Sequence, residues 1–61
     1  MMSIKLYFLV TVHGDKIVGA VDGPFISYDK ADSIKDLMPD EMLGSTRIAE
    51  VTIPYMYSKL V

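Results

Sequence analysis

The sequence predicts an α+β fold of ββαβ order: a three-stranded antiparallel sheet, strand order 2-1-3, with one helix packed on one face. Three observations carry that prediction. Residues 4–12 alternate with a period of two and are rich in aromatic and β-branched side chains, which marks a strand. Gly14-Asp15 then supplies a two-residue turn ahead of a second β-rich run. A capped segment of helical periodicity separates this hairpin from a third alternating run at residues 46–53.

In the first strand Ile4, Leu6, Phe8, Val10 and Val12 share one face, and Lys5, Tyr7, Leu9 and Thr11 share the other. Glycine takes a positive φ without steric cost, so Gly14-Asp15 suits a type II′ turn. With that loop His13 faces Lys16, Val12 faces Ile17, Val10 faces Gly19 and Phe8 faces Val21. A slip of one residue would turn Ile17 and Val21 to the wrong side. The hairpin thus spans residues 4–21, and Asp22-Gly23-Pro24 is expected to end it.

Ser27 or Asp29 is placed to cap a helix over about residues 29–38, with Asp29 and Asp32 near the positive end of its dipole. Pro39 disfavours α geometry at Met38, and Asp40 to Leu43 can add a short turn before Gly44. The strand at 46–53 is closed by Pro54 and followed by an apolar tail, 54–61. A right-handed crossover from the second strand sets the third beside the first. The whole chain, 1–61, reads as a single domain with no internal repeat or linker.

Ala31, Ile34 and Met38 form one helical stripe, with Leu37 beside it. The stripe is expected to cover Leu6, Phe8, Val10, Ile17 and Val21, with Ala49, Val51 and Ile53 from the third strand. The opposite face would carry Lys5, Tyr7, Leu9, Thr11, Val18, Ala20, Ile48, Glu50 and Thr52. A solvated face of an antiparallel sheet is normally polar. Here Tyr7, Leu9, Val18 and Ile48 are apolar neighbours, which marks an expected protein interface. Tyr55 and Tyr57 in the tail extend it, since tyrosine is favoured at interfaces.

A chain of 61 residues buries only about 60% of its unfolded surface and is marginal without a staple. It has no cysteine, which excludes disulfides and thiolate zinc sites, and one histidine, His13. Homodimerisation or binding to another protein is the remaining staple. Six basic and eight acidic residues give a net charge of −2, with the basic residues scattered. A direct nucleic-acid partner, which needs a concentrated basic patch, is not expected. The opening residues resemble a signal peptide, but the apolar run is short and no small-x-small cleavage site follows. A cytoplasmic chain with no membrane partner is expected.

Asp29, Asp32, Asp36 and Asp40 would fall within an arc of about 80° on a continuous helix. Such an acidic row at Asp29, Asp32 and Asp36 could imitate nucleic-acid phosphates, although charged residues on a helix usually form its solvated face. His13 with one of Ser27, Ser33, Ser45 or Ser58 and an aspartate supplies the residue types of a hydrolase triad, but no nucleophile-elbow pattern surrounds any serine. No catalytic residue, cofactor site or metal site is assigned.

The segment Gly23-Pro24-Phe25-Ile26-Ser27-Tyr28-Asp29-Lys30-Ala31, after a lysine-bearing hairpin, resembles small uncharacterised ββα(β) proteins encoded by bacteriophages. In that arrangement Phe25 would plug the end of the core and Ser27 would cap the helix. The resemblance implies a non-enzymatic accessory protein that binds and inhibits a host factor. The expected function is therefore a non-catalytic protein-binding module, with an acidic nucleic-acid mimic as the alternative.

Overall fold

The hairpin is built first from β1 (Ile4–His13) and β2 (Lys16–Phe25), joined at Gly14-Asp15. The computed structural model describes residues 3–54 and 57–61. Gly14 has φ 66°, the left-handed conformation that the tight turn requires. The chain continues into α1 (Tyr28–Lys35), α2 (Asp40–Leu43), β3 (Thr46–Ile53) and β4 (Tyr57–Leu60). All neighbouring strands are antiparallel, in the order β2-β1-β3-β4. β3 lies beside β1 as expected, but the sheet has four strands, not three. Tyr57 to Leu60 of the tail pair with β3, and the backbone N–H of Val61 donates to the Ile48 carbonyl at 2.9 Å. Pro54 interrupts the ladder without ending the sheet.

The hairpin register begins as the turn dictates, with His13 opposite Lys16 and Val12 opposite Ile17. It then departs from strict alternation: Val10 faces Ala20, not Gly19, and Leu9 faces Asp22, where Phe8 was expected to face Val21. β2 also runs on through Asp22-Gly23-Pro24 to Phe25, which faces Tyr7. From Val12 to Tyr7 the first strand takes five steps, while from Ile17 to Phe25 its partner takes eight. The three extra residues of β2 are absorbed in irregularities of the ladder. An odd number of insertions reverses side-chain parity. Ile17 therefore shares a face with Val12, and Phe25 shares the other face with Tyr7. β2 is an edge strand, where a proline is tolerated.

Ser27 is the helix cap: its Oγ accepts the backbone N–H of Lys30 at 3.1 Å. α1 ends at Lys35, three residues earlier than expected, and turns lead through Asp36 and Leu37 to Pro39. The short turn at Asp40 to Leu43 forms as read.

The helix covers the face opposite to the one expected. Ala31 and Leu9 are fully buried and Ile48 is 2% exposed, forming one cluster against which Tyr7, Phe25, Ile34 and Met38 pack. Ala31 and Ile34 of α1 and Met38, which lies beyond the helix end, pack on Tyr7, Leu9 and Ile48 and not on Leu6, Phe8 and Val10, while Leu37 is 80% exposed. Parity reversal in β2 is the physical reason: it delivers the chain through Phe25 to the Tyr7 side just before the helix begins. Tyr28 then locks the start of α1 against Tyr7, ring to ring. Thr46, opposite Thr11 in the ladder, donates through Oγ1 to the Met42 carbonyl at 2.7 Å, which ties α2 to the start of β3.

Candidate functional site

The sheet's second face lies opposite α1. In β1 it consists of Ile4, Leu6, Phe8, Val10 and Val12, every second residue along the strand. Their register partners in β3 are Ile53, Val51, Ala49 and Arg47. Ile17 and Ala20 extend the face into β2, and Leu60 and Ser58 extend it into β4. Val10 and Ala49 at its centre are buried, although the helix-bearing cluster does not include them. The margin is open: Ile4, Ile17, Ile53 and Leu60 are all exposed.

Charge is nearly absent from this face. Among the described residues Arg47 is the one charged side chain at its register positions, and its Nη1 donates to the backbone carbonyls of Thr46 and Gly44 at 2.9 and 3.2 Å. The helix-bearing side, by contrast, carries charges beyond the helix footprint. Lys5 Nζ lies 3.8 Å from Glu50 Oε1, and Lys59 is the register partner of Glu50 in β4. The polar groups of the sheet are thus concentrated on the side already covered.

The sequence-derived interface residues separate. Leu9 and Ile48 belong to the core under α1, and Tyr7 is partly buried against it, so these three form no open surface. The correction follows from the helix lying on their side. Val18 is 64% exposed within an irregular part of edge strand β2. Tyr57 is exposed at the start of β4, and Tyr55 lies outside the described residues. The sequence reading places Phe8 and Ile17 in the core beneath the helix, whereas both lie on the face opposite α1. Gly19 and Gly23 inside β2 were the available signal, since glycine within a strand often marks a bulge.

The acidic row is broken. Asp29 is in the first turn of α1 and Asp36 is its C-cap, while Asp40 starts the separate helix α2. Asp29 and Asp36 are exposed and Asp32 is partly so. His13 sits at the hairpin, opposite Lys16. Ser27 is engaged in capping, and Ser45 Oγ donates to the Met42 carbonyl at 3.4 Å. No pocket opens, no cluster of potential metal ligands forms, and no helix is long and apolar enough to cross a membrane, among the described residues. Comparison with known protein families, curated proteins and solved structures finds no match to this chain.

Proposed function

We propose that this chain is a non-catalytic protein-binding module whose contact surface is the open sheet face of Ile4, Phe8, Ile17 and Leu60. One observation carries the reading: the face is apolar across four strands, while α1 lies on the other side. An antiparallel sheet that meets water on one side is ordinarily polar there. Contiguous apolar surface of this kind marks an interaction site. The resemblance over residues 23–31 supports the finer reading, an accessory protein that acts by occupying a host factor. The acidic row supports no second reading of equal weight, because the break after Lys35 sets Asp40 apart from the others.

The test is site-specific photo-cross-linking. A photoreactive residue replaces Ile17 on the open face in one variant and Ser33 on α1 in another. Protein adducts are expected from position 17 and few or none from position 33. Equal yields at the two positions, or no adduct at position 17, would remove the open face from its role.

A further inference from the structure

The occupant of this face can be named. Resting on the reading that the face binds protein, we infer that it is closed by a second copy of the same chain, giving a two-fold sandwich of four-stranded sheets with α1 of each copy outside.

Area comes first. Four strands at about 4.8 Å spacing and eight residues at about 3.3 Å make a face of about 500 Å². Two such faces pressed together remove about 1,000 Å² from water, at the threshold for a specific interface. The monomer exposes 4407 Å², whereas a compact protein of 6.8 kDa exposes about 4,000 Å². The excess of about 400 Å² is comparable to one face of the sheet. The shape agrees: the extents are 41 × 23 × 14 Å, a thin slab with a single helical layer.

Chemistry selects a second copy over another protein. A two-fold contact is self-complementary, so every group on the patch must find its match on the same patch of the other copy. Apolar side chains meet that condition without paired charges, and among the described residues the face has one charged side chain, Arg47, whose Nη1 is held by backbone carbonyls near the end of β3. A surface specialised for a different protein normally uses charge and polar groups to fix register and reject wrong partners. The central pairs of this face, Val10 with Ala20 and Phe8 with Ala49, are apolar, and Arg47, the β3 partner of Val10, has its Nη1 held by the Thr46 and Gly44 carbonyls. Bulk beside small residues gives the ridge and dip that two copies can interleave, with their sheets crossing at about 30°.

The experiment measures the mass of the purified full chain by sedimentation equilibrium at about 1–100 μM, a range spanning typical dimer affinities. Wild type is expected at twice 6.8 kDa. Ala20→Lys, an exposed position on the face, is expected to shift dissociation at least 100-fold towards monomer while the circular dichroism stays folded. Leu37→Lys, at a position 80% exposed and off the face, is expected to remain dimeric. Should Ala20→Lys fail to fold, a single-cysteine pair takes its place, because the native chain has no thiol. A bifunctional maleimide should then join Ala20→Cys copies and leave Leu37→Cys copies single. A monomeric wild type overturns the inference, as does a folded Ala20→Lys that stays dimeric or absent linkage at Ala20→Cys. A monomer that still yields adducts to a different protein from position 17 overturns self-association alone. A monomer yielding no adduct overturns the binding role as well.

Discussion

Tyr7 and Tyr28 meet edge to face, with ring centroids 6.0 Å apart and planes at 86°. The pair joins the middle of β1 to the first residue of α1, next to Phe25 and the Ser27 cap. It therefore holds the helix start on one side of the sheet. Aromatic pairs of this geometry contribute about 0.5–1.5 kcal/mol beyond the area they bury. Tyr28→Ala is expected to lower stability by about 1–2 kcal/mol, and Tyr28→Phe, which keeps the ring, by much less. Urea unfolding followed by circular dichroism separates the two outcomes; equal losses would deny the ring pair its role.

The core under α1 is small, so its individual members weigh heavily. Leu9 is fully buried and Ile48 nearly so. Truncating either to alanine should cost about 2–5 kcal/mol. A core this size rarely supplies more than about 3–5 kcal/mol in total. Leu9→Ala is thus expected to be largely unfolded at 25 °C. Leu37→Ala, at an exposed position, should change stability by less than about 0.5 kcal/mol. Thermal melts of the two variants check the ranking that places the Leu9 side inside.

Gly23 and Gly19 both lie in β2 but should respond oppositely to alanine. Gly23 has φ 126°, and a Cβ there would come within 2.9 Å of Phe8 Cδ1 and 3.1 Å of the Tyr7 carbonyl. Gly23→Ala is expected to cost about 1–3 kcal/mol from the strained backbone alone, with the contact adding to it. At Gly19 nothing lies within 4 Å and φ is unremarkable. Gly19→Ala should be neutral or stabilise by up to about 1 kcal/mol by restricting the unfolded chain. A destabilised Gly19→Ala would show that the irregular register there needs more freedom than its geometry indicates.

Ser27→Ala removes the acceptor for the Lys30 amide. The expected cost is about 0.5–2 kcal/mol, and Ser27→Asp should recover most of it because aspartate caps equally well and favours the dipole. For a domain this small, about 1 kcal/mol corresponds to about 4–8 °C in Tm. Differential scanning calorimetry of the three proteins resolves such a step; an unchanged melt for Ser27→Ala would show that the cap is replaced by solvent.

Much of the fold was legible in residue order. The alternation of Ile4 to Val12, the Gly14-Asp15 turn, the Ser27 cap and the Thr46–Ile53 strand follow from local chemistry acting over a few residues. So did the inward placement of Ala31 and Ile34 on α1. β4 was harder to read because Pro54 signals an end, and the pairing of Tyr57 to Leu60 with β3 depends on how the chain turns after it. The interface residues were harder still. Tyr7, Leu9 and Ile48 looked surplus only while the helix was placed on Phe8.

The sequence by itself determined that the sheet has two apolar faces and that the helix-forming segment can cover only one. Tertiary structure decided which. Alternation records that two sets of side chains point apart, but carries no label for inside and outside when both sets are apolar. The label came from three extra residues in β2, which reversed its parity and led the chain through Phe25 onto the Tyr7 side.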